Sequence, residues 1–105
     1  MNNWFLYLIR CKNGRLYTGI TTDVERRFEE HRNGGRKGSR YLRGKAPLKL
    51  VMKKKVGNRS MALKIEAKVK KLPKTKKELL VDGRVKIREI KREINSSSSN
   101  KTLDN

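Results

Sequence analysis

Apolar side chains occupy every position from Trp4 to Ile9, so an extended segment there has something to bury on both faces. A strand covered on both faces is central in its sheet. Arg10 closes the run. Cys11-Lys12-Asn13-Gly14-Arg15 then carries an Asn-Gly turn signal, and Leu16 to Ile20 reads as a second, antiparallel strand. Two registers are open for this hairpin. A two-residue Asn13-Gly14 turn sets Leu8 opposite Gly19 and puts Tyr7 and Tyr17 on opposite faces. A three-residue loop, Lys12 to Gly14, sets Tyr7 opposite Gly19 and Ile9 opposite Tyr17, with both tyrosines on one face. That loop needs a left-handed residue at its end, where Gly14 stands.

Thr22-Asp23-Val24-Glu25 has the form of a capping box with Thr22 as N-cap, and predicts a helix to about Asn33 with Gly34 as its stop. The inward stripe of that helix is Val24, Arg27, Phe28 and His31, half of it polar. Gly34 to Lys45 is a glycine-rich basic loop. It is not a phosphate-binding P-loop, because Gly44-Lys45 is followed by Ala46. After Pro47 a third strand is expected over Leu48 to Val56. Leu48, Leu50 and Met52 alternate there with Lys49, Val51 and Lys53, the pattern of a half-solvated or edge strand. A second helix is expected from Asn58–Ser60 to Leu72, before Pro73, with Ala62, Ile65, Val69 and Leu72 inward and Glu66 at the border of that stripe. A short helix over Lys74 to Val81 ends at Asp82-Gly83, and Ile87, Ile90 and Ile94 favour helix within Val85 to Ile94. The expected organisation is one domain over 1–82, a helical extension over 83–94, and a tail without structure over 95–105, where four serines run together.

Composition adds a partner class. Among 105 residues, 29 Lys and Arg face 10 Asp and Glu, for a formal net charge of +19. Each phosphate that a Lys or Arg neutralises releases counterions, so nucleic acid is the first candidate partner. An anionic membrane surface is the second, although no strongly hydrophobic basic helix supports it. A solubilising lysine coat is the plain alternative, but it rarely needs so lopsided a balance. The single cysteine, Cys11, excludes an internal disulfide and agrees with a reducing cytoplasm. One Cys and one His make a closed zinc site implausible. The run Trp4 to Ile9 is too short to span a membrane and has no signal-peptide cleavage pattern. A soluble cytoplasmic protein is expected.

Leu6-Tyr7-Leu8, then Tyr17-Thr18-Gly19, then Arg27 on a capped helix and Glu66 on a later one, resemble the GIY-YIG nuclease superfamily. The stretch Leu16 to His31 is similar to the small stand-alone bacterial members and to the catalytic domain of Slx-type endonucleases. The excinuclease N-terminal domain is a more distant relative. The resemblance covers residues 4 to 80. It implies an α+β fold, a small three-stranded antiparallel sheet flanked by helices, and it selects the three-residue hairpin loop. Two features depart from the family pattern. The first triplet lacks its usual glycine, and the asparagine of larger homing endonucleases has no counterpart. No second DNA-binding domain fits in the chain, so target choice is expected to come from a protein partner.

The resemblance implies a metal-dependent endonuclease acting on DNA, with a role in repair or recombination. Glu66 would hold a single Mg²⁺ or Mn²⁺, Arg27 would contact the scissile phosphate, Tyr7 would orient water or act as base, and Tyr17 would support the water network. Each has a plain structural alternative. Glu66 can pair with Lys70, Arg27 with Glu30 or Asp23, and each tyrosine can be a core aromatic. His31, one turn beyond Arg27, is a candidate for proton transfer. Gly19 allows close approach to the Tyr7 face, and Gly14 closes the hairpin loop. Arg36, Lys37, Arg40, Arg43 and Lys45 are expected to track a phosphate backbone, with Tyr41 placed to stack on an unpaired base. The rival reading is a non-catalytic nucleic-acid-binding module associated with RNA or ribosomes.

Overall fold

The computed structural model describes residues 3–103, and side chains up to residue 96. Its elements are β1 (Trp4–Arg10), β2 (Leu16–Thr21), α1 (Val24–Asn33), β3 (Lys49–Gly57), α2 (Arg59–Lys71), α3 (Lys74–Val81) and α4 (Ile87–Leu103). The strands form one antiparallel sheet in the order β2-β1-β3, which puts β1 in the centre, as its apolar character on both faces requires. Leu6 and Leu8 face one layer, where they meet Ala62, Ile65 and Val69 of α2 and the isoleucines of α4. Tyr7 and Ile9 face the other, with Val24 of α1 and Leu42 of the basic loop. Two cores therefore share one strand.

The edge strand β3 does not keep the simple alternation its sequence suggests. Leu8 pairs with Met52 and Ile9 with Leu50, so Val51 is an extra residue, and a second shift falls between Trp4 and Phe5. A bulge resets which face the next side chain takes. Leu48 and Leu50 accordingly pack with Tyr7 and Ile9, while Val51, Met52 and Val56 pack with α2 and α4. Lys53, Lys54 and Lys55 are exposed, which suits a strand whose outer edge has no partner strand among the described residues.

The helix ends follow local chemistry, with one correction. The N-cap of α1 is Asp23, not Thr22: its carboxylate accepts the Arg26 N–H at 3.1 Å. Thr21 Oγ1 accepts the Asp23 N–H at 3.1 Å, which turns the chain one residue later than the expected capping box. A carboxylate is the stronger partner for the partial positive charge at a helix start. Gly34 stops the helix in the left-handed conformation, at φ 67°. Asn58 caps α2 by accepting the Met61 N–H at 2.9 Å.

The C-terminal segment also differs from expectation. α4 continues through the serines to Leu103, where composition predicts a tail without structure; residues 104 and 105 lie outside the described range. Ile87, Ile90 and Ile94 are buried with Leu6, Leu8 and Ile65. Once that packing has nucleated a helix, each further turn adds hydrogen bonds at little cost. A half-buried ion pair without a signature in the sequence ties β1 to α3: Arg10 donates two bonds to Glu78, each 2.7 Å. The paired guanidinium holds the Glu78 carboxyl down to about 2.

Truncating Ile90 to Ala removes a buried side chain from the shared core. The expected loss is about 2–5 kcal/mol of unfolding free energy in urea, from the missing apolar contacts and the cavity they leave. A loss below about 0.5 kcal/mol, the range of ordinary surface changes, would show that α4 does not belong to the cooperative fold.

Candidate active site

The hairpin adopts the three-residue loop. Gly14 has φ 84°, its N–H bonds the Cys11 carbonyl at 2.9 Å, and Tyr7 pairs with Gly19 while Ile9 pairs with Tyr17. Tyr7 and Tyr17 therefore share a face, with ring centroids 6.4 Å apart. The Tyr7 phenol lies across Gly19. A Cβ at position 19 would stand 2.3 Å from Tyr7 Oη and 2.4 Å from Cζ, so only glycine leaves room for the ring.

α1 brings His31 to the same place. The imidazole is 3% exposed, and its Nε2 is 2.9 Å from Tyr7 Oη. Its other nitrogen, Nδ1, accepts the backbone N–H of Ser39 at 3.2 Å. A nitrogen that accepts carries no proton, so in the neutral ring the proton is on Nε2 and is donated to the Tyr7 oxygen. His31 thus holds the phenol oxygen and leaves the Tyr7 proton free to be donated elsewhere. Burial, and next the Arg27 charge, hold the imidazole down to about 4, so it is neutral at physiological pH. Burial and the neighbouring Tyr17 push the Tyr7 phenol up to about 12, with Arg27 pulling the other way and the Glu66 carboxylate adding to the rise.

Arg27 stands beside this pair. Its Nη1 donates to Glu30 Oε1 at 2.9 Å and to the Lys37 carbonyl, which ties α1 to the basic loop. Glu66 has a side chain 19% exposed and pairs with Lys70 at 3.5 Å, the i, i+4 contact open to it on any helix. Its field nonetheless reaches the Tyr7 phenol. Tyr7, Tyr17, Arg27 and His31 are thus brought together from two strands and one helix, with Glu66 of α2 reaching them through its field.

Among the described residues no three His, Cys, Asp or Glu side chains stand together as a metal cage. A single shielded carboxylate suits a hard divalent cation that keeps most of its waters, and Glu66 is such a group. Glu66 would offer a hard divalent cation such as Mg²⁺ or Mn²⁺ one carboxylate, with the rest of its shell left to water and substrate.

The loop residues divide. Arg36, Lys37 and Arg40 present exposed side chains. Arg43 and Lys45 also hold the loop together, Arg43 Nη2 donating to the Gly35 carbonyl at 3.3 Å and Lys45 Nζ to the Tyr41 carbonyl at 2.6 Å. Tyr41 stacks on Tyr17, with centroids 5.8 Å apart. Sequence reasoning does not find Ser39, which acts through its backbone N–H, a group any residue type but proline supplies. It finds Glu30 only as an i, i+3 partner of Arg27.

Comparison with known proteins adds a frame to this geometry. The family model of the GIY-YIG catalytic domain matches residues 3–78. A UPF0213 protein of Cronobacter sakazakii is 57% identical over 83 residues, covering 79% of this chain and 85% of its own length. The UPF0213 protein YhbQ of Escherichia coli is 57% identical over 81 residues, covering 77% and 79%. The UPF0213 protein of Bacillus halodurans, solved by solution NMR, is 43% identical, covers 78% of this chain and 84% of its own, and superposes with a TM-score of 0.49.

Two outcomes are expected from the buried pair. The unfolded imidazole titrates near its ordinary 6.5 and the folded one at about 4, so between these values the unfolded chain binds more protons. Stability from this contact is full above pH 6.5 and is lost as pH falls toward 4. His31 is the chain's one histidine, so a urea midpoint that drops between pH 7 and pH 5 in the parent, and stays level in His31→Gln, is the expected result. An imidazole that titrates near 6.5 by NMR would contradict the contact. Separately, Gly19→Ala forces a carbon into the Tyr7 ring and is expected to cost about 1–3 kcal/mol in urea unfolding. No measurable loss would mean that the phenol does not lie across residue 19.

Proposed function

The chain belongs to the GIY-YIG catalytic domain family, a family of nucleases, and from that membership we propose that it is a divalent-metal-dependent endonuclease hydrolysing phosphodiester bonds in DNA. The observation that carries the reading is the Tyr7–His31 hydrogen bond, flanked by Arg27 and Glu66 on a chain of net charge +19. Arg27 offers a permanently charged guanidinium to the non-bridging oxygens of the scissile phosphate. To do so it exchanges part of its pairing with Glu30 for the phosphate. Glu66 would hold the metal ion in place of its present partner Lys70. A bound Mg²⁺ or Mn²⁺ supplies charge relief at the phosphate and a more acidic water.

Tyr7 stays a neutral phenol near pH 7, because its pKa lies at about 12. Its role is accordingly to fix water and phosphate oxygen by hydrogen bonds, with His31 setting the direction of its oxygen. Tyr17 packs against both rings and keeps that geometry. The exposed cations of the basic loop take the flanking phosphates. A protein partner supplies target choice, and repair or recombination is the setting that branched DNA substrates imply.

One observation favours the second reading, a non-catalytic binder of RNA or ribosomes. Glu66 and Arg27 both have partners of opposite charge within the chain, Lys70 and Glu30. The two readings part on turnover. Purified protein is incubated with nicked, flapped and duplex DNA plus Mg²⁺ or Mn²⁺. Cleavage is expected, and Glu66→Ala and Arg27→Ala are each expected to slow it about 10²–10³-fold, the usual effect of removing one group that stabilises developing charge. Both variants should keep the parent's thermal midpoint within a few degrees. Salt-sensitive binding with no cleavage by the parent would favour the binder, and cleavage that persists in Glu66→Ala would point to another site.

A further inference from the structure

A cleft of about 280 Å³ opens between the end of the hairpin, the basic loop and the start of α3, lined by Arg15, Leu16, Tyr41, Lys74 and Lys77. It adjoins the candidate active site through an aromatic chain. Tyr41 stacks on Tyr17 with planes 25° apart, and Tyr17 meets His31 edge-on at 5.4 Å. Tyr41 is 40% exposed, so part of its ring is open to solvent. The Lys45 ammonium stands over the Tyr41 ring, 4.2 Å from its centre, so a base that stacks on Tyr41 has to displace that ammonium.

The charges in the cleft are only partly paired. Lys74 reaches Glu78 at 3.3 Å, but Arg15 and Lys77 have no carboxylate partner among the described residues. Water solvates these cations, and their combined field favours an anion in the space between them. Aromatic face and cations together match one chemistry, a nucleotide, whose base stacks while its phosphate is neutralised.

We infer that this cleft is the subsite for one unpaired nucleotide next to the scissile bond, its base against Tyr41 and its phosphate among Arg15, Lys74 and Lys77. The inference rests on the nuclease reading for what lies next door, and it narrows the substrate class. A base inside an uninterrupted duplex already has both faces covered by its neighbours. Only a single strand, a flap or a junction offers a base free to enter.

The test separates this subsite from catalysis by working in EDTA. Binding of a short fluorescein-labelled single strand is compared with binding of the blunt duplex of the same sequence. Tyr41→Ala is expected to weaken the single strand about ten-fold and the duplex less than about two-fold, whereas Tyr41→Phe keeps the parent affinity. The Lys74→Ala/Lys77→Ala double variant is expected to flatten the salt dependence by about one to two phosphate contacts. Because Tyr41→Ala also uncovers Tyr17, the Tyr41→Trp variant gives an independent reading with unlabelled strands: its indole emission, taken in excess of the parent's, is quenched by the single strand and not by the duplex. Equal weakening of both ligands by Tyr41→Ala, no weakening of either, or Tyr41→Trp emission blind to the single strand would overturn the subsite. A parent that shows the preference in EDTA but cuts nothing with Mg²⁺ or Mn²⁺ would overturn the nuclease reading alone.

Discussion

The site depends on the backbone of one residue. Gly14 holds φ 84°, which a side chain disfavours, and so closes the hairpin in three residues rather than two. A two-residue turn would shift β1 against β2 by one position and rotate Tyr17 to the far face. With the observed register, Tyr7 falls opposite Gly19, the one residue in β2 over which its ring can lie. The two glycines therefore act together. Gly14 selects the pairing, and Gly19 makes the selected pairing sterically possible. The meeting of Tyr7 and Tyr17 follows from these two positions before any helix is docked, and α1 then adds His31.

On a chain of net charge +19, the centre of the site is neutral. Tyr7 is protonated and His31 is unprotonated over the same broad range of pH, and each state is favoured by burial. This is a consistent arrangement, because a buried charge in that position would have cost more than the hydrogen bond returns. The charged side chains, Arg27 and Glu66, stand at the margin, each with a partner of opposite sign within the chain. Polarity is thereby layered: a fixed neutral pair inside, paired charges around it, and cations in excess outside.

Much of this is legible in the sequence, and the parts that are not share a cause. Apolar character on both faces locates β1 in the centre, the glycine at 34 marks the end of α1, and the pairing of Tyr7 with Gly19 is one of two registers the hairpin allows. The family resemblance chooses between them. The cap of α1 is ambiguous because Thr22 and Asp23 are both good caps, and the choice depends on the Thr21 hydroxyl turning the chain. The faces of β3 escape the pattern because a bulge at Val51 has no signature in a run of aliphatic and lysine residues. The length of α4 escapes it because serines are weak helix formers in isolation, whereas here they continue a helix already anchored by three isoleucines. In each case a contact that the local pattern does not announce decides the outcome. Arg10 and Glu78, 68 positions apart, are the extreme case.

The basic loop shows how the same contacts serve two ends. Its conformation is tied to α1 at three points: the Ser39 N–H on His31 Nδ1, the Lys37 carbonyl on Arg27, and Gly38, where a Cβ would come within 2.8 Å of the Glu30 carbonyl oxygen. The first of these fixes which nitrogen of His31 faces Tyr7, and the second fixes the guanidinium. Under the proposed function, a phosphate backbone drawn to Arg36, Lys37 and Arg40 would pull on the segment that orients the imidazole and the arginine. If the loop shifted, Nδ1 would lose its donor, the imidazole proton would be free to change nitrogen, and Tyr7 would lose the bond that directs its oxygen. The loop and the internal geometry of the site are thus tied through backbone groups, which is why the tie leaves no mark in the identity of residue 39.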